Sequence, residues 1–135
     1  MVDEEEFQRW REEAGRAVEG AQAQAERRLY NWACFSCEQG AQLAVKALLH
    51  GLGRGPWGHD LDALIDSLQA AGVDVSEHVA SAGHRLGRHY IPARYPDAHA
   101  AGHPGGHYGA SDWEGAFEDA QTILTAVDTA WAGLR

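Results

Sequence analysis

Apolar residues recur every three or four positions through nearly the whole chain, a spacing that admits helices and little else. From about Asp3 to Arg28, Phe7, Trp10, Ala14, Ala17, Val18, Ala21 and Ala25 form one stripe. The residues between them are mostly Glu, Gln and Arg, which favour helix. The acidic run Asp3 to Glu6 suits the positive end of that helix. A second helix is predicted from about Leu29 to Leu52 on a spine of Trp32, Ala33, Phe35, Cys37, Gly40, Ala41, Ala44, Val45, Leu48 and Leu49. Its Gly and Ala residues permit close helix approach, and Gly51, Gly53, Gly55 and Pro56 mark its end.

The rest of the chain continues the pattern in shorter pieces. His59 to Leu68 reads as a short helix that turns Leu61, Leu64, Ile65 and Leu68 inward, with Gly72 closing it. His59 and Asp60 read as its local cap. Ser76 starts a fourth helix, with Val79, Ala80, Gly83, Leu86, Gly87 and Tyr90 on its apolar side, and Pro92 and Pro96 ending it. Four glycines, a proline and three histidines between Ala98 and Ala110 predict a mobile loop. Ser111, three residues before Glu114, predicts a capped start for the last helix, which carries Trp113, Ala116, Phe117, Ala120, Ile123, Leu124, Val127 and Trp131. No strand pattern and no internal repeat is present. The expectation is a single all-α domain over residues 1–135, an up-and-down bundle of about five helices, two long N-terminal ones plus three shorter ones.

Charge is unevenly placed. The chain carries net charge −9, yet no carboxylate occurs between Glu77 and Asp97. Arg85, Arg88, Arg94, His78, His84 and His89 make that stretch an island of positive or positivable charge, which focuses potential for an anion. The competing reading pairs these side chains with the acidic first helix. The overall charge argues against coating nucleic acid unaided. Lys46 is the one lysine, read as a snorkelling surface residue or a carboxylate's partner. No apolar run approaches the roughly 20 residues that span a bilayer, and the acidic start is unlike a secretory signal, so no membrane and a cytoplasmic location are expected.

Two constellations resemble metal or redox sites without completing one. Cys34 and Cys37 share a helix face without a second cysteine pair, and read as small buried hydrophobes. His99, His103 and His107 recur every fourth residue, but Gly102, Pro104, Gly105 and Gly106 among them forbid a helix, so a solvated loop is expected. No metal or other cofactor is expected.

Three motifs carry a resemblance. The run Cys37-Glu38-Gln39-Gly40-Ala41-Gln42-Leu43-Ala44-Val45-Lys46-Ala47-Leu48-Leu49 is similar to the "QQAAEKALKALL" segment of HEPN (higher eukaryotes and prokaryotes nucleotide-binding) domain proteins. His59-Asp60-Leu61 matches that family's "THDL", with Gly58 in place of the threonine. Tyr90-Ile91-Pro92-Ala93-Arg94-Tyr95-Pro96-Asp97-Ala98 resembles its "YIPTRYPDA" signature. The motifs fall in the family's order and span about Leu29 to Ala98. Gln42 stands where the family carries a glutamate.

The resemblance implies a four- or five-helix bundle that dimerises and works beside a minimal nucleotidyltransferase, as a toxin–antitoxin or substrate-binding pair. In its toxin branch an Arg-x4-6-His motif at the dimer groove cleaves RNA without a metal, and Arg94 with His99 has that spacing. The chemistry is sensible, since histidine serves as acid or base while arginine holds phosphate. Three readings follow. In the first the chain is a homodimeric module binding a nucleotide, or its nucleotidyltransferase partner, through Arg85, Arg88, Tyr90, Arg94 and Tyr95. Asp97 there fixes the arginine or tyrosine, and Pro92 and Pro96 stiffen the turn. In the second it is a metal-independent endoribonuclease with Arg94 and His99 catalytic, and in the third an oligomerising scaffold without a small ligand. The first is favoured.

Overall fold

The computed structural model describes residues 2–134, and all regular structure among them is helical. Five α-helices appear: α1 (Glu4–Glu26), α2 (Tyr30–Gly51), α3 (Leu61–Ala70), α4 (Glu77–Gly87) and α5 (Ala110–Leu134). The bundle is the expected all-α one, but α5, at 25 residues, is the longest helix, not one of the shorter ones.

Side chains begin the helices where short polar residues were available. Asp3 accepts from the Glu6 amide, Asp60 from that of Ala63, and Ser76 from that of Val79. Asp60 thus supplies the cap that Gly58 cannot. The last helix starts at Ala110, one residue before Ser111. There Asp112 reaches back to the Gly109 amide at 2.8 Å, so the reciprocal half of a capping box is made by an aspartate and Ser111 lies inside the helix. The fourth helix stops at Gly87, ahead of Pro92, and residues 88–94 continue as hydrogen-bonded turns.

α1 and α2 form an antiparallel hairpin across a three-residue turn, in which Arg28 takes φ 61°. The Asp3 amide donates to the Gly51 carbonyl at 2.7 Å, joining the start of α1 to the end of α2. Gly40 lets the pair close up: a Cβ there would lie 2.9 Å from Val18 Cγ2. α2 is the central element, packed on α1, α3, α4 and α5. Its buried face includes Ala33, Cys34, Cys37, Ala41, Ala44, Val45, Leu48 and Leu49. Both thiols are fully enclosed, and burial pushes each up to about 12. α5 lays Ile123, Leu124, Val127 and Trp131 on this core, and Trp131 stacks on Phe7 with centroids 4.2 Å apart. Arg11 clamps Asp128 through two hydrogen bonds, tying α1 to α5. No helix among the described residues is long and apolar enough to cross a membrane.

Of the tryptophans read as core, Trp131 is enclosed, Trp10 and Trp113 are half-buried, and Trp32 is exposed.

Candidate binding groove at the α2–α4 junction

The α2 face that carries Phe35, Glu38 and Gln42 is met by two connections, the loop before α3 and the turn after α4. Asn31 on α2 holds the second in place, its amide donating to the Ala93 carbonyl at 3.0 Å. Ala93 is fully buried and allows that approach. The turn thereby sets Tyr90 and Arg94 against Phe35, and Tyr95 against Arg94.

Arg94 is held on several sides. Its guanidinium carbon lies 4.4 Å from the Phe35 ring centre, 4.5 Å from that of Tyr90 and 4.8 Å from that of Tyr95. Its Nε donates to the Tyr90 carbonyl at 2.7 Å, and Nη1 lies 3.4 Å from the Tyr95 hydroxyl. Planar, delocalised charge suits a three-ring enclosure that an ammonium would fill badly. Asp97 is exposed and bonds neither Arg94 nor Tyr95.

His99 is engaged elsewhere. Its Nε2 donates to the Pro92 carbonyl at 2.7 Å and its ring stacks on His107 at 4.2 Å, 7° from parallel. His107 in turn donates to the Ala101 carbonyl at 2.7 Å. The signature ends in a 3₁₀ turn, Pro96–Ala98, and a second, Pro104–His107, follows it, with Pro104 buried. Within one chain Arg94 and His99 share no hydrogen bond. No group of three His, Cys, Asp or Glu among the described residues is arranged to hold a metal.

The basic island is largely partnered, and by α3 and α5, not by the acidic first helix. Arg85 grips Asp119 of α5 through two hydrogen bonds of 2.8 and 3.0 Å, which raises its affinity for the proton further. His84 lies 3.0 Å from Asp62 of α3. His89 is buried, 2.8 Å from the Tyr108 hydroxyl, and burial with the neighbouring Arg88 charge pushes it down to about 4. It is uncharged near neutrality. Arg88 is left exposed and without a carboxylate partner among the described residues.

Arg88 lines an open groove of about 600 Å³ with His59, Asp62, Arg85, Tyr90 and Ile91. Behind the groove lies a buried polar chain that sequence reasoning missed. Glu38 is wholly buried, and its carboxylate accepts from the Gln42 amide at 2.6 Å and from the Gln39 amide at 2.9 Å. Gln42 then faces His59 Nδ1 at 3.3 Å, and the His59 ring stacks on Tyr90 at 5.5 Å. Burial lifts the Glu38 carboxyl to about 7, against the two amide bonds and the charges of Arg94 and Lys46. Lys46 is itself lowered by burial and makes no ion pair with Glu38. The signal was a carboxylate between Cys34 and Ala41, inside an otherwise apolar helical stripe.

Comparison with known proteins agrees with this architecture. A Thermus thermophilus protein of known crystal structure is 38% identical, with TM-score 0.88 over 92% of this chain and 97% of that one. An archaeal HEPN homologue is 28% identical, with TM-score 0.77 over 91% and 95% of the two chains. A HEPN domain protein of Thermotoga maritima is 25% identical, with TM-score 0.73 over 92% and 98%. No curated protein matches. The HEPN domain pattern matches residues 7–130, nearly the whole bundle, and the chain therefore belongs to the HEPN domain family.

Proposed function

We propose that the chain is a binding module that holds a nucleotide in the groove between α3 and the turn after α4. The carrying observation is Arg88, the groove guanidinium with no carboxylate of its own, which lines the same groove as Tyr90. Arginine takes phosphate oxygens in bidentate fashion, and the Tyr90 ring, packed against Arg94 and His59, gives the groove a rigid wall. Arg85 lines the same groove but is already committed to Asp119, and Arg94 to its three rings.

The module acts as a homodimer beside a minimal nucleotidyltransferase, as the family resemblance implies. Support for a protein-facing surface comes from Leu29, Trp32, Ile91 and Tyr95, each 42–48% exposed. The nuclease alternative draws less support, because Arg94 and His99 are engaged by separate neighbours.

Calorimetric titration with ATP tests the reading. Binding by the wild-type protein that disappears in Arg88→Glu, with the helical circular dichroism unchanged, is the expected result. Equal binding by both proteins overturns it.

A further inference from the structure

His59 is held in a defined orientation by Gln42 and by the Tyr90 ring. Gln42, 2% exposed, donates its amide N–H to Glu38 at 2.6 Å, and above about pH 7, where that carboxyl is ionised and can only accept, it fixes which end of the amide is which. The Gln42 carbonyl oxygen is therefore the end presented to His59 Nδ1, at 3.3 Å. A carbonyl oxygen only accepts, so Nδ1 carries the proton of the neutral ring and Nε2 keeps its lone pair. The ring plane is set by Tyr90, 15° from parallel. Nε2 has no partner among the described residues, and His59 is exposed and lines the same groove as Arg88. A buried carboxylate behind an amide behind an imidazole is a costly arrangement for a ring that only packs.

We propose that His59 is a ligand-binding residue of this groove: its Nε2 accepts a hydrogen bond from a sugar hydroxyl of the nucleotide, and Glu38 and Gln42 are its positioning residues. The assignment rests on the groove reading above, and it adds a requirement that reading lacks. The ligand must present a hydroxyl donor as well as an anion. Arg88 takes the phosphate, and His59 reads the sugar.

Two measurements test it. Nitrogen-15 NMR of the unliganded protein at pH 8, where Glu38 is ionised, reads the tautomer directly: His59 in the Nδ1–H form is expected, shifting towards Nε2–H in Gln42→Leu. Calorimetry then compares ATP with 2′,3′-dideoxy-ATP. The wild type is expected to bind the dideoxy compound roughly three- to tenfold more weakly, the worth of one hydrogen bond. His59→Phe, which keeps the ring stack on Tyr90, is expected to bind the two alike. An Nε2–H tautomer in the wild type, or equal affinity of the wild type for both nucleotides, overturns the assignment while Arg88-dependent binding stands. Absence of any ATP binding overturns the groove reading and this one together.

Discussion

Replacing Glu38 by glutamine should abolish a pH dependence of stability that the buried carboxyl imposes. In the folded chain Glu38 is wholly enclosed and its carboxyl rises from 4.5 to about 7. At about 1.4 kcal/mol for each tenfold change in proton affinity, ionisation is disfavoured in the folded state by roughly 3 kcal/mol. The raised folded-state value makes the protonated form the better-folded one. Stability from this group is complete below pH 4.5 and declines as pH climbs through about 7. His89 acts in the opposite sense: held at about 4 instead of 6.5, it supports the fold above pH 6.5 and withdraws support as pH falls towards 4. That contribution is common to wild type and Glu38→Gln, so it cancels in their difference. Urea unfolding followed by tryptophan fluorescence, run from pH 5 to pH 8, gives the comparison. The stability of wild type relative to Glu38→Gln should fall by about 2–3 kcal/mol across that range. A difference that stays flat, or that rises with pH, refutes the reasoning, because it requires an ionised Glu38 stabilised by a cation.

Gly51→Ala and Gly20→Ala should move stability in opposite directions. At Gly51 a Cβ would sit 2.4 Å from the Trp131 ring, which Phe7 blocks from yielding. Overpacking of about 1–3 kcal/mol then exceeds the roughly 1 kcal/mol gained in helix propensity. At Gly20 nothing lies within 4 Å, and the propensity gain of about 0.5–1 kcal/mol should appear as a higher melting temperature. Cys34 and Cys37, enclosed and held at about 12, should resist a thiol reagent at pH 8 in the native protein and both react in urea. Reaction at native rates approaching those in urea would contradict their burial. Asp119→Asn releases Arg85 from its ion pair, and should raise ATP affinity severalfold by calorimetry; an unchanged affinity would place the phosphate away from Arg85.

Periodicity carried most of the fold. The stripes of the first two helices apart from the exposed Trp32, the inward Leu61, Leu64, Ile65 and Leu68, and the Ser76 start all correspond to the observed elements. These features are local, set by spacing and by side chains a few residues apart. What depended on tertiary partners was not readable. The island of arginines and histidines looked like free charge because Asp62 and Asp119 come from outside the stretch that holds them. Arg94 and His99 matched in spacing, but the direction of each side chain depends on rings and carbonyls that a spacing does not encode. Trp57, 92% exposed, attracted no reading because an aromatic residue in a Gly–Pro loop belongs to no stripe. Glu38 is the opposite case: its position inside an apolar stripe was visible, and only the amides of Gln39 and Gln42 reveal how it is tolerated.

The partnering of the basic residues has a kinetic consequence. With net charge −9 and Arg85 and His84 matched by aspartates, the molecule presents little attractive field to an anion at a distance. On the proposed reading, a nucleotide approaching the groove meets repulsion until it is within contact of Arg88. Added salt screens the long-range repulsion and the short-range attraction alike, so arrival quickens while departure also quickens. On that reading the site would gain its ligand at a rate that rises with salt, the reverse of an electrostatically steered site.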